Sequence, residues 1–558
     1  MLRLSIICAC CLTFAVSAQP ESRSEQKQAT TVRVTTRLVE VNVVVQDKKG
    51  EAITDLVRDD FDVTEQGKAQ TISAFSIESN QNAFGLAEAL PPNTFSNMPS
   101  RSGASQNLTA ILFDTLNTPI ADQAYAKREV LRFLQQIRPR DRVAVYGLST
   151  SLQVIHDFTG NSEALARAVD HYRIRSSREQ TGSIAAVEDK TWLAENEQEA
   201  KIIAAMDAFL NSSSQLIANY YIERRTTITL QALETLANHL AFIPGRKSLV
   251  WVSAGFPFVY GSNTMRLNQL TEGMKNFSEV LARTARSITN ANVAIYPVDA
   301  RALMGSAAIN PSSSAALVTN TARQASAIDT QAMDEVLASH STMQELADQT
   351  GGRASYDTSD VQGSIRRALE DSRVTYTLGY YPSDTRFDGK FRSIKVSVKR
   401  PGVQLKYRRG YFALPDEPLD DAHRQKALSA AAANLLDATA IGVSIEVGKP
   451  ASGSSVRKLV MDIDTNSIKL EPVQEIWAGG LDVLFAQFDE KGNLESSIGR
   501  RIPLKLTVAD REQLLQHGFV LNAPVKIKGN CHHMRIVLRD LKSGAIGTVT
   551  IPLNEVRE

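Results

Sequence analysis

The chain has 558 residues, 43% of them hydrophobic and 22% charged, with a formal net charge of +1. That length exceeds one ordinary core, so about two to four domains are expected, and the composition excludes general disorder. The near-zero charge excludes the broad field that would attract nucleic acid or an anionic membrane.

Met1-Leu2-Arg3 is followed by a largely apolar run from Leu4 to Val16 and then Ser17-Ala18-Gln19-Pro20. This is the pattern of a secretory signal, residues 1–18, with cleavage expected after Ala18; an uncleaved anchor is the alternative. The run is short for a bilayer span, and no later run of about 20 apolar residues follows, so no transmembrane segment is expected in the mature chain. Cys8, Cys10 and Cys11 leave with the signal, and Cys531 stays alone, so no intramolecular disulfide is available. An exported protein without disulfides fits a bacterial envelope, and the expected location is secreted or periplasmic.

Residues 31–78 alternate in the manner of strands: Val32 and Val34, then Val39, Val41, Val43 and Val45, with turns at Asp47-Lys48-Lys49-Gly50 and Gln66-Gly67-Lys68. Such a small β segment is marginal alone and needs a partner. Residues 79–107, rich in Asn, Ser, Pro and Gly, read as a linker. Strand and helix patterns then alternate over 108–372. Strands are expected at Leu108–Asp114, Arg142–Leu148, Ser248–Val252 and Val293–Val298. Helices are expected at Asp122–Ile137, Glu163–Tyr172, Thr226–Phe242, Leu267–Thr289, Thr342–Gln349 and Val361–Asp371. Right-handed crossovers make this an α/β domain, a doubly wound and mostly parallel sheet. Residues 176–222, helical and polar, and 303–333, rich in Ser, Ala, Thr and Asn, interrupt the plan and are expected to decorate the rim of the sheet.

Residues 373–414 return to β patterns, with Asp388-Gly389 and Pro401-Gly402 at turns. They are expected to complete the N-terminal β segment, so that the α/β domain is inserted in a small β domain. Ala422–Leu436 is an Ala-rich connector helix. Residues 425–558 hold about seven short strands and read as a C-terminal β-sandwich.

Four segments carry a family resemblance: Leu38-Val39-Glu40-Val41-Asn42-Val43, Asp60-Phe61-Asp62-Val63-Thr64-Glu65-Gln66-Gly67, Leu112-Phe113-Asp114-Thr115-Leu116-Asn117-Thr118 and Tyr376-Thr377-Leu378-Gly379-Tyr380-Tyr381-Pro382. Over about residues 31–414 the chain resembles the von Willebrand factor type A (VWA) fold, and within it a group of secreted bacterial VWFA-related proteins. The resemblance implies a non-enzymatic protein that binds a protein partner through loops at the carboxyl edge of its sheet. It also implies a metal-ion-dependent adhesion site, whose first loop reads Asp-x-Ser-x-Ser, with a Thr from a second loop and an Asp from a third. Asp114 matches the first Asp and Thr118 the last hydroxyl. Leu116 stands for the middle Ser, Thr226 (or Thr227) matches the second-loop Thr, and Ser253-Ala254-Gly255 replaces the third-loop Thr-Asp-Gly.

A hard cation such as Mg²⁺ asks for near-octahedral oxygen ligands. With one carboxylate left, the site is degenerate; Mg²⁺ or another divalent cation at Asp114, Thr118 and Thr226 is the cofactor expectation. The other reading makes Asp114 a cap of its turn, with Thr118 and Thr226 satisfying backbone groups. Asp299 lies on the same edge.

Other motifs are bland. If Cys531-His532-His533 lies near a strand, its adjacent side chains point to opposite faces and the histidines do not share an ion. Gly147-Leu148-Ser149-Thr150-Ser151 lacks the second glycine of a nucleophile elbow. No His-Glu-x-x-His stretch or Gly-rich phosphate loop with a Lys occurs, so no enzyme is expected. Lys399-Arg400, Lys406 and Arg408-Arg409 read as solvated edge charges, and no nucleic acid is expected as a partner. A structural envelope scaffold with no working metal site is the rival reading.

Overall fold

The computed structural model describes residues 38–79, 90–98, 108–173, 197–255, 284–301, 336–413, 421–449 and 455–556, except the single positions 140, 242, 244, 286, 338, 372 and 435. The expected signal segment, Val32 and Val34, the expected 303–333 insertion and most of the helix expected at Leu267–Thr289 lie outside the described residues.

Strand β1 (Val39–Gln46) buries almost its whole length. Strands β2 (Phe61–Glu65) and β3 (Lys68–Gln70) form a hairpin in which Glu65 pairs with Lys68. The two residues between them have φ of 49° at Gln66 and 76° at Gly67. Positive φ at both positions is the twist-matched turn of a two-residue hairpin, which Gly67 adopts without a Cβ clash. Strand β4 (Ile72–Ser79) follows. Residues expected to be linker then supply strand β5 (Thr94–Ser96).

The α/β part begins with strand β6 (Leu108–Asp114), buried at every residue. Helix α1 (Ile120–Leu134), strand β7 (Arg142–Leu148), strand β8 (Leu152–Thr159) and helix α2 (Ser162–His171) come next. They are followed by helix α3 (Glu197–Leu240), strand β9 (Lys247–Ser253), strand β10 (Val293–Asp299) and helix α4 (Val361–Asp371). The sheet order is β10-β9-β6-β7-β8. Its first four strands are parallel, and β8 runs antiparallel at the edge.

Period-2 alternation sends successive side chains of β6 to opposite faces. Ile111 and Phe113 join Val130, Phe133 and Ile365 on the α1–α4 face. Ala110 and Leu112 join Leu233, Leu236 and Leu240 of α3 and Leu346 of a helix over 339–350 on the other. Helices on both faces explain why the strand reads as a continuous apolar run.

Strands β11 (Val374–Tyr380), β12 (Phe391–Val398), β13 (Gln404–Lys406) and β14 (Gly410–Phe412) return to the first β unit. Two antiparallel sheets result, β13-β1-β11-β4 and β14-β12-β2-β3. Val41, Val43, Phe61, Val63, Tyr376, Leu378, Ile394 and Val396 fill the space between them. Buried Arg246, just before β9, donates to the Tyr296 hydroxyl at 3.1 Å and the Asn42 carbonyl at 3.5 Å, tying this β unit to the parallel sheet.

Beyond helix α5 (Asp421–Ala433) come strands β15 (Val443–Val447), β16 (Val456–Ile463), β17 (Glu471–Val473), β18 (Ile476–Phe488) and β19 (Leu494–Leu506). Helix α6 (Val508–His517) precedes strands β20 (Phe519–Lys526), β21 (His533–Asp540) and β22 (Ile546–Pro552). One sheet is β20-β16-β15-β5; the other runs β17-β18-β21-β22, with β19 on the free side of β18. Ile445, Leu459, Met461, Val483, Ile536 and Ile551 form the core between them, and α5 covers the outer face through Leu428 and Ala432 against Phe488 and Val537. The C-terminal sheet therefore takes a strand, β5, from before the α/β part.

Candidate functional site

Parallel strands β6, β9 and β10 end side by side at Asp114, Ser253 and Asp299, the edge where open α/β sheets gather ligands. Asp114 is 0% exposed, so its carboxyl is buried at that edge and not open to a docking partner. Its Oδ1 accepts from the Asn117 backbone N–H at 3.0 Å. Its Oδ2 accepts from Asn117 Nδ2 at 2.9 Å, Trp251 Nε1 at 3.0 Å and Ser253 Oγ at 3.0 Å. The Ser253 hydroxyl also lies 2.8 Å from the Gly255 carbonyl, so its single proton serves either acceptor. Burial pushes the Asp114 carboxyl above its ordinary range, against the pull of Asn117, Trp251 and Ser253.

The register explains the indole. Trp251 pairs with Leu112, two residues before Asp114, so both point to one face of the sheet. The first and third loops also touch directly. Ala254 N–H donates to Thr118 Oγ1 at 3.1 Å, and a Cβ at Gly255 would stand 2.9 Å from the Asn117 carbonyl.

Of the residues read from sequence, Asp114 and Thr118 sit in this cluster. Thr226 lies inside α3, where its hydroxyl donates to the Ile222 carbonyl at 2.8 Å. Thr229, one turn on and 0% exposed, supplies the hydroxyl that accepts from Asn117 Nδ2 at 3.0 Å. Asn117, Trp251, Ser253 and Thr229 were not assigned these roles. The i, i+3 spacing of Thr226 and Thr229 is the one signal that points to the latter.

A divalent cation needs lone pairs directed at it. Here both Asp114 oxygens face N–H donors, so the donor set does not fit an ion without displacing the Asn117 amide and the indole. Among the described residues no three His, Cys, Asp or Glu side chains converge on one point.

Asp299 is paired within the protein. Arg301 donates to it through Nε at 2.9 Å and Nη2 at 2.7 Å, and His340 Nε2 lies 2.9 Å away. The imidazole stacks on Tyr356, with centroids 4.5 Å apart, and its Nδ1 is 3.9 Å from Asp357. Burial pushes the nearby Asp122 carboxyl up, with Arg301 opposing. In the C-terminal sandwich, His533 stacks on Phe488 at 5.0 Å, and Cys531 Sγ donates to the His533 carbonyl at 3.3 Å.

No protein-family model matches the chain. No curated protein matches it either. Among solved structures, an aerotolerance-related membrane protein from Bacteroides fragilis aligns with a TM-score of 0.24 and 12% identity, over 47% of this chain and 98% of that one. The pilus adhesin SpaC from Lactobacillus rhamnosus aligns at 0.26 and 8% identity, over 88% of this chain and 59% of that one. The human COPII-coat protein Sec24c aligns at 0.19 and 7%, over 60% and 48%. This chain spans less than two thirds of the latter two proteins, and at these TM-scores none of the three bears on its activity.

Proposed function

We propose that this chain is a secreted or periplasmic, non-enzymatic protein of the von Willebrand factor type A kind, which holds a protein partner on the loops at the carboxyl edge of its parallel sheet without a cation. The observation that carries the reading is the Asp114 hub. Asn117, Trp251 and Ser253 donors on one buried carboxylate fasten the loops after β6 and β9 to each other. Loops fixed in this way lose little freedom when a partner docks, which favours binding.

The exposed residues beside the hub suit a protein contact. Pro119, Thr150 and Ser151 are solvent-facing, and Ile120, at the start of α1, is 58% exposed. An apolar anchor within a polar rim is the usual anatomy of an interface. Among the described residues the His340–Asp299 pair is turned toward Arg301 and Asp357 rather than a hydroxyl nucleophile, which favours binding over catalysis. The quoted family segments and the apolar leader support the rest of the reading.

The test has two arms. Calorimetric titration of the mature chain with Mg²⁺ and Mn²⁺ is expected to be flat for wild type and Asp114→Ala alike; saturable heat from wild type alone would restore the cation. Capture of envelope proteins is expected to be indifferent to chelator and lost with Ile120→Glu. Capture that survives Ile120→Glu favours the rival scaffold, whose contacts lie elsewhere.

A further inference from the structure

The C-terminal sandwich ends on one side in β19, a strand of 13 residues that among the described residues pairs only with β18. At about 3.3 Å per residue its free edge runs roughly 40 Å. Such an edge is a template for another strand unless it is blunted. Part of β19 is blunted and part is not.

The alternation of the ladder shows which groups are free. Gly480 accepts from Leu541 N–H at 2.9 Å, so its polar groups face the β21 side of β18. In an antiparallel ladder successive residues alternate sides, so Leu481, Val483, Phe485 and Gln487 face β19. Their partners are Ile502, Arg500, Ile498 and Ser496. The backbone groups of Ser497, Gly499 and Arg501 therefore point away from the sheet. The same alternation turns the nitrogen of Pro503 outward, where a missing N–H costs nothing to the ladder.

A bulge between Ser496 and Leu494 closes one end of this window and Pro503 closes the other. Between them Ser496–Ile502 is extended and regularly paired, and Ile498 is 43% exposed. A Cβ at Gly499 would meet only Leu484 at 3.8 Å and the Val483 carbonyl at 3.9 Å. Packing does not require glycine there, and its bare backbone leaves an open strip for a neighbour's side chain.

We propose that the outer edge of β19, from Ser496 to Ile502, receives an extended acidic segment of a partner protein as an added antiparallel strand. Main-chain bonds to Ser497, Gly499 and Arg501 supply the attachment, and side-chain pairing supplies the choice. Residues of the partner opposite Ile498 and Ile502 are apolar and prolong the core row of the sandwich. Those opposite Arg500 and Arg501 are acidic; Arg501 already faces Asp482 at 3.1 Å and Asp421 at 3.6 Å, so the exposed Arg500 carries most of the charge preference. The bulky place is opposite Gly499. A second copy of this chain fits less well: self-pairing about Gly499 sets Arg500 against Ile498 and Arg501 against Ser497, and brings Arg500 no counter-charge.

The probe is a labelled peptide, Val-Glu-Glu-Tyr-Val-Thr-Val, titrated into the mature chain by fluorescence anisotropy. Saturable binding is expected, with the same peptide carrying Lys-Lys in place of Glu-Glu failing to bind. Arg500→Glu is expected to weaken binding about tenfold. Ser497→Pro, which removes an outward N–H and no ladder bond, is expected to abolish it. Ile120→Glu at the distant rim leaves it unchanged, so failure here and failure of the rim reading are separate results. If Ser497→Pro unfolds the chain, alternate N-methylation of the peptide asks the same question. No binding, equal binding of the Lys peptide, or wild-type dimers that Arg500→Glu dissociates would each overturn the proposal.

Discussion

Asp114 shows how one side chain reads differently in sequence and in space. Its place at the end of an apolar strand was legible, because β6 is buried on both faces and the polar residues after it mark the strand's end. Its donors were not, since Trp251 and Ser253 reach it only through the pairing of β6 with β9. With both oxygens accepting, Asp114→Asn sets an amide NH₂ against N–H groups. The variant is expected to lose about 2–4 kcal/mol of stability in urea unfolding, as when a buried hydrogen-bonded charge is broken.

Lys247 gives a pH test. It is 2% exposed, and burial lowers its ammonium from 10.5 to about 8, with Glu78 and Glu40 opposing. Between those values the unfolded chain binds more protons than the folded one, so this residue adds stability as pH rises through that window and withdraws it as pH falls. Lys247→Met is expected to remove that rise, which denaturant melts at pH 8 and pH 10 will show as a difference in slope between the two proteins.

Elements were legible where periodicity is local. The strands at Leu108–Asp114 and Arg142–Leu148 and the helix at Val361–Asp371 coincide with the patterns that announce them. Strand β8 was missed although Leu152, Val154 and Phe158 alternate, because His156 and Asp157 dilute the signal in an edge strand. Helix α3 starts at Glu197, far before Thr226, so Thr226 is not at a helix start. Strand β5 is three residues long, and beside its ladder with β15 one side chain fastens its end. Asn97 Nδ2 donates to the Ala438 and Ile441 carbonyls at 2.8 and 2.9 Å, and its Oδ1 accepts from Val443 N–H at 2.8 Å. Asn97→Ala leaves these buried groups unmatched and is expected to cost about 2–3 kcal/mol. Hydrogen exchange over 94–97 and 443–447 should accelerate together.

At the scale of the molecule, the parts are joined by more than linkers. Leu436, in the segment before β15, packs in the core beneath the parallel sheet. Thr439 N–H donates to the Asn238 carbonyl at the end of α3. Removing residues 425–558 is therefore expected to lower the melting temperature of the remaining α/β part and to open residues 90–98 to protease; a fragment as stable and as resistant as the full chain would show the joint to be incidental. These joints were illegible because they rest on contacts between distant residues, which no local pattern encodes.

The first β unit has a history in time as well as a shape. Strands β1 and β4 do not touch; β11 lies between them, and Val39 pairs with Tyr380. During synthesis the amino-terminal strands wait, uncapped, until the whole α/β part has emerged. A chain so arranged closes late and slowly, because its decisive contacts span the greatest separation. That delay leaves the edges of β1 and β4 unpaired on the nascent chain, the kind of exposed strand that a chaperone shields.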